Sequence, residues 1–174
     1  TAPPWPLPVC VRWLQGGLTA SAPERCTLLD GPSGELTLAS DAPDGPDAMI
    51  DAMIGACPVV IANAGAAGYY RVRYDVASAA RLRASLFLLT PAERLGLGAD
   101  TAALVAAGAL APDAALATAG ALLARGSDHD RVAALHVLAR LDRFVEPGAA
   151  AAWRRWRAAA LPGVPALIGP PREP

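Results

Sequence analysis

Asn63-Ala-Gly-Ala-Ala-Gly-Tyr-Tyr-Arg-Val-Arg-Tyr-Asp75 decides how this chain divides. Gly65 and Gly68 open the run, and glycine reaches positive φ at little steric cost, so both read as turn positions. From Tyr69 the residues alternate, with Tyr70, Val72 and Tyr74 on one face of a strand and Tyr69, Arg71 and Arg73 on the other. Val59-Val60-Ile61 is a β-branched run behind Pro58, so the two runs with NAGAAG between them predict a hairpin. After Asp75 the two-residue period stops and alanine-rich, leucine-spaced sequence begins. The spacing predicts a boundary there, between a β domain over 1–75 and a helical one over 76–174.

Toward the N-terminus, short β-type runs occur at Val9 to Leu14, Arg25 to Leu29, Glu35 to Ala39, Val59 to Ala62 and Tyr69 to Tyr74. Gly16-Gly17, Asp30-Gly-Pro-Ser-Gly34 and Asp41-Ala-Pro-Asp-Gly-Pro46 separate them as turns. This spacing predicts a small antiparallel β-sandwich. Asp47-Ala-Met-Ile-Asp-Ala-Met-Ile54 is a tandem duplication, read as a mobile loop without function. Cys10, Cys26 and Cys57 lack any Cys-x-x-Cys spacing, and an odd count argues against a complete disulfide framework. Free, buried thiols are the default reading, with one bridge open if two of them face each other across a sheet.

Toward the C-terminus, helices are predicted near 77–89, 91–107, 112–125, 128–142 and 147–160. Thr90-Pro-Ala-Glu93 is a capping box with proline at the first helical position, and Ser127-Asp-His-Asp130 starts a helix with acids at the favourable end of its dipole. Gly108 and Gly126 close the helices before them. Leucines at helical spacing give each helix one apolar stripe, and alanine elsewhere lets axes approach closely, which predicts a HEAT-like, solenoid array. After about five helices the chain turns proline-rich from about Pro162, so the array reads as truncated. An uncovered apolar face, and hence self-association, is expected.

Composition excludes more than it names. The chain is 53% apolar, which rules out overall disorder, and its fifteen basic residues, all arginine, against sixteen acids leave a net charge of −1. That balance gives no electrostatic case for nucleic acid or an anionic membrane. No apolar run approaches a membrane span, and Thr1-Ala-Pro-Pro-Trp-Pro is no signal peptide. The compartment stays open.

Motifs for chemistry are absent from the sequence. His129 and His136 lie seven residues apart on one predicted helix, about 10 Å along its axis, too far to share a metal. Ser33 sits in a Gly-Pro-Ser-Gly turn rather than a nucleophile elbow, and Gly96-Leu-Gly98 is a bare fragment of a nucleotide fingerprint inside a helix. Trp153-Arg-Arg-Trp-Arg157 is the one basic and aromatic cluster, read as tryptophan anchoring and dipole compensation rather than as a nucleic-acid contact.

Trp5-Pro-Leu-Pro-Val9, Cys57-Pro-Val-Val-Ile-Ala-Asn63 and Gly68-Tyr-Tyr-Arg-Val-Arg-Tyr-Asp75 together resemble the C-terminal part of the zinc aminopeptidases of the aminopeptidase N type. Pro91-Ala-Glu-Arg94 through Asp100, followed by Leu104 to Leu110, extends the resemblance into the helical half. Val59 and Val60 depart from it, standing where the family usually places a tryptophan. The resemblance implies a β-sandwich spacer and the start of the helical C-terminal domain, forming part of a bowl that limits peptide entry. It carries over no catalytic, cofactor or metal position, because the family's zinc ligands belong to a preceding catalytic domain, where zinc is expected. Asn63, Gly68, Tyr69, Tyr70, Arg71 and Tyr74 are implied to be structural, setting the hairpin and its packing on the first helix. The implied partners are the parent's own catalytic domain and its peptide substrates. The alternative is a freestanding scaffold or peptide-binding module without protease activity.

Overall fold

The computed structural model describes residues 5–14, 24–38 and 58–161. The duplicated Asp47–Ile54 segment, Cys57 and the proline-rich tail from Pro162 lie outside the described residues. The chain divides into two compact units, Thr1–Ser85 and Leu86–Pro174.

In the first unit, β1 (Leu7–Leu14), β2 (Glu24–Leu29) and β3 (Val59–Ile61) form an antiparallel sheet of order β2-β1-β3. Val11 and Trp13, two residues apart on β1, are both buried, as the strand period requires. Trp13 lies opposite Val60, and Ile61 opposite Arg12. Cross-strand partners share a face, so buried Trp13 and buried Ile61 lie on opposite faces and the paired ends of β1 and β3 are covered on both sides. β2 is different. Every residue from Glu24 to Leu28 is exposed, so its ladder to β1 and one covalent link hold it rather than burial. That link joins Cys10 to Cys26, which are direct partners in the ladder with Cα atoms 4.0 Å apart. The free-thiol expectation for these two residues is thereby corrected: the register sets them face to face.

α1 (Val76–Ala84) packs on β3 and buries Leu82. The division between the two compact units falls after this helix, between Ser85 and Leu86. Asp75 caps the helix by accepting from the Ser78 N–H at 2.9 Å. Hydrogen bonding from Ser78, together with the nearby Arg81 charge, holds the exposed Asp75 carboxyl below its ordinary value. The helix expected to run to residue 89 stops at Ala84, because the chain tightens through Ser85 into a 3-10 turn over Leu86–Leu88.

The second unit carries α2 (Pro91–Ala106), α3 (Pro112–Arg125), α4 (Asp128–Leu141) and α5 (Ala150–Ala160). Both parts of the Thr90–Glu93 capping box form, at 3.3 and 2.8 Å. Gly108 and Gly126 end α2 and α3 in left-handed conformations that an L side chain would resist. α4 is the middle helix, packing on both α2 and α3 through Ala133, Ala134, Val137 and Leu138, all without solvent exposure. At Gly98 of α2 an added Cβ would come within 2.7 Å of the Ala133 carbonyl oxygen, so the glycine allows the closest approach of α2 to α4. The fragment read as an incidental Gly-Leu-Gly thus has a packing role at its second glycine.

One buried ion pair ties these helices together. Arg94 of α2 donates through Nε to Asp130 of α4 at 2.5 Å and through Nη1 to the Leu89 carbonyl. Asp130 is fully buried, and its second oxygen accepts from the Ser127 hydroxyl at 2.5 Å and faces Arg125 at 3.7 Å. A buried carboxylate is tolerable here because its charge is matched and its lone pairs are used.

Candidate functional site

The Asn63–Asp75 element has a different internal logic from the hairpin its pattern predicts. Residues 69–74 are not a ladder strand; the backbone bends at 68–70 and runs irregularly to Asp75. The alternation of faces survives. Tyr70, Val72 and Tyr74 are half-buried while Tyr69, Arg71 and Arg73 are exposed. Side chains hold the segment where a returning strand was expected. Asn63 accepts from the Gly68 N–H at 2.8 Å and donates to the Gly68 carbonyl at 3.0 Å, so its amide closes the turn like a second peptide group. The Tyr70 hydroxyl donates to the Ala62 carbonyl at 2.8 Å, and the Ala62 N–H donates to the Tyr74 hydroxyl at 3.0 Å. Both backbone groups of Ala62, at the end of β3, are thus occupied by phenols, which meets the requirement that backbone polar groups away from water be paired.

Gly65 has φ 64°, as expected for a turn glycine, but the second left-handed residue is Ala66 at φ 54°, not Gly68. Gly68 is needed for another reason. A Cβ there would meet the Tyr70 ring at 2.0 Å, so the ring lies directly on the glycine. The structure brings Asn63, Gly68, Tyr70 and Tyr74 into one hydrogen-bonded group, and leaves the side chains of Tyr69 and Arg71 exposed beside it. The expected strand over Glu35 to Ala39 is also corrected: 35–38 are irregular, with Thr37 tied to β2 by an Arg25 Nη1 to carbonyl bond at 2.9 Å, and Ala39 lies outside the described residues.

His129 and His136 are both exposed on α4. Ser33 lies in irregular backbone after the bend at Gly31 and Pro32. Among the described residues the one grouping of three potential metal-ligating side chains is Cys10, Glu24 and Cys26, whose two sulfurs are spent on each other. Bonded sulfurs are not thiolate ligands.

The Trp153–Arg157 cluster divides into two halves. Trp153 donates through Nε1 to Asp142 at 2.6 Å, and Arg157 pairs with the same carboxylate, so the start of α5 is tied back to the end of α4. Burial pushes the Asp142 carboxyl up, but the hydrogen bonds from Arg157 and Trp153 and the Arg157 charge outweigh it and hold it below its ordinary value. Next door, Arg143 caps the end of α2 by donating to the Val105 and Ala106 carbonyls at 2.9 and 2.6 Å. On the other side, Trp153 stacks on Trp156 with centroids 5.1 Å apart, and both line an open groove of about 510 Å³ with Phe144, Val145, Glu146, Ala149 and Ala152. The residue pattern pointed to the tryptophans. It gave no sign of Glu146 or Phe144, which precede the helix.

A model of the ERAP1-like C-terminal domain matches residues 59–167, more than half of the chain. The chain belongs to the ERAP1-like C-terminal domain family. The match begins at the first residue of β3 and takes in the tyrosine element and all five helices, while β1 and β2 precede it. A comparison with curated proteins returns no match. ERAP1-like C-terminal domains are non-catalytic parts of aminopeptidases, and no helix among the described residues is long and apolar enough to cross a membrane.

Proposed function

We propose that this chain is the C-terminal region of a zinc metallo-aminopeptidase of the aminopeptidase N type, supporting a catalytic domain and shaping the path by which peptides reach it. The observation that carries this reading is the family match over residues 59–167, which includes the Asn63–Asp75 element on which the resemblance to those enzymes first rested. The chemistry is consistent with a supporting role: Tyr70, Tyr74 and Asn63 are directed at backbone, and a phenol hydrogen-bonded to a peptide carbonyl is a brace rather than an acid or base poised at a substrate. Zinc and the residues that ligate it are assigned to the catalytic domain, and peptides are the ligands whose entry this region would restrict.

Reading the gene upstream of Thr1 tests the assignment. An in-frame His-Glu-x-x-His domain is expected, and the purified chain should hydrolyse no aminoacyl anilide and retain no stoichiometric zinc. An upstream frame without any such domain would favour the freestanding scaffold or peptide-binding module. Zinc-dependent hydrolysis by the chain alone would refute both.

A further inference from the structure

Cys10, Glu24 and Cys26 share one face of the ribbon made by β1 and β2. Glu24 and Cys26 are two residues apart on β2, and Cys10 is the direct ladder partner of Cys26. Their potential ligand atoms all lie within 4.8 Å of one another. A Glu24 carboxylate oxygen stands 3.7 Å from the Cys26 sulfur. With the Cys10–Cys26 bond in place that sulfur has no hydrogen to donate, so the approach is not a hydrogen bond. For the reduced pair the same separation has a use. Zinc held tetrahedrally, with sulfur at about 2.3 Å and carboxylate oxygen at about 2.1 Å, keeps its ligand atoms roughly 3.6 to 3.8 Å apart. Glu24 already stands at that separation from Cys26, and the sulfurs of two directly opposed strand residues can adopt it once the bond between them is opened.

Exposure and charge agree with this use. Glu24 and Cys26 are exposed and Cys10 is half-buried, so a reductant and a hydrated cation both reach the cluster. Two thiolates and a carboxylate around a divalent cation leave one negative charge. Arg12, the ladder partner of Glu24, carries one positive charge on the same face. Thiolate donors select a soft cation over magnesium or calcium, and three protein ligands leave the fourth tetrahedral position to water.

We propose that Cys10, Cys26 and Glu24 form a redox-gated site for a thiophilic divalent cation of the zinc class, closed while the two sulfurs are bonded and opened by a dithiol reductant. A thiolate of the dithiol attacks the exposed Cys26 sulfur, the Cys10–Cys26 bond breaks and Cys10 leaves as a thiolate. The second thiol of the reductant then displaces Cys26 and closes the reductant's own disulfide, so two electrons pass to the protein. Binding of the cation releases the protons still held by the two thiols. The site is separate from the assignment to an aminopeptidase: the expectation of no zinc belongs to the chain with its bridge closed, and no hydrolysis is expected of the cluster.

Titration of the full chain with Co2+ tests the proposal, on a Cys57→Ser background that leaves these two cysteines as its only thiols. After reduction with a dithiol and its removal without air, one equivalent of Co2+ is expected to bind with thiolate-to-metal charge-transfer absorption, and Zn2+ to abolish the band. The oxidised chain should show no band at the same concentrations. Cys10→Ser and Cys26→Ser should each weaken binding at least about tenfold, and so should Glu24→Gln, which leaves both thiolates in place. Zn2+ should also raise the melting temperature of the reduced chain and leave that of the oxidised chain unchanged, because only the reduced form binds. Absence of the band from the reduced chain would overturn the proposal. So would equal affinity in the two redox states, or a Glu24→Gln variant that binds as tightly as the parent chain.

Discussion

Asn63 and Gly68 make two hydrogen bonds to each other, one from the Gly68 N–H to the Asn63 amide oxygen and one from the Asn63 amide nitrogen to the Gly68 carbonyl. A side chain here closes a turn that backbone pairing would ordinarily close. Asn63→Ala removes both bonds and should cost about 1–2 kcal/mol in urea unfolding. Asn63→Asp keeps the acceptor and loses the donor, so a smaller loss is expected. Equal losses for the two substitutions would show that only the bond from the Asn63 amide nitrogen to the Gly68 carbonyl matters.

Tyr70 and Tyr74 serve opposite needs of the same residue, one taking the Ala62 carbonyl and the other its N–H. Tyr70→Phe and Tyr74→Phe should each destabilise by about 1 kcal/mol, since each leaves a part-buried backbone group without its hydroxyl. Gly68→Ala should be worse than either, by about 1–3 kcal/mol, because the new methyl displaces the Tyr70 ring. Thermal melts of the three variants decide the order.

How much of this was legible in the sequence depends on which interaction decided each feature. The capping box at Thr90 and Glu93 and the glycine ends of α2 and α3 are local, so their residue types announced them. The face assignment of Tyr70, Val72 and Tyr74 was legible for the same reason. That this segment would be braced by phenols rather than paired as a strand was not, because the partner, Ala62, has no side chain that signals it. The Cys10–Cys26 bridge required the strand register, and the buried pair of Arg94 with Asp130 joins residues 36 apart in sequence. Long-range partners such as these are fixed by packing, which periodicity does not report.

The buried pair supports a sharp prediction. Asp130→Ala leaves Arg94 beside the Leu89 carbonyl with its buried charge unmatched, and should cost about 3–5 kcal/mol. Replacing both residues by apolar ones of similar volume should cost less than the sum of the single changes. A double-mutant cycle by chemical unfolding measures the coupling.

Asp142 gives the chain a pH dependence of defined sign. Its carboxyl titrates lower folded than unfolded, so its contribution is complete above the ordinary value of 3.8 and is lost as pH falls through the folded value. Wild type should therefore exceed Asp142→Asn in melting temperature near neutrality, and the gap should close in acid. The group is partly exposed and solvent screens it, so the gap corresponds to no more than about 1 kcal/mol. A gap that widens on acidification would contradict the assignment.

Reduction should loosen the first unit. The Cys10–Cys26 bridge spans 16 residues, and closing a loop of that size stabilises by about 3 kcal/mol in the chain-entropy account. Alkylation without reductant should label one thiol per chain, and with reductant three. A double Cys10→Ala/Cys26→Ala variant should lose stability and become insensitive to reductant. Three labelled thiols without reductant would show the bridge unformed.

The role proposed for this region is to shape peptide access to a separate catalytic domain of the parent. The most direct measurement compares the parent enzyme with and without residues 1–174, using kcat/KM for a single aminoacyl anilide and for peptides of increasing length. With the region present, long and short substrates should differ in kcat/KM, and removing it should flatten that dependence while zinc content stays the same. An unchanged length profile after its removal would contradict the account.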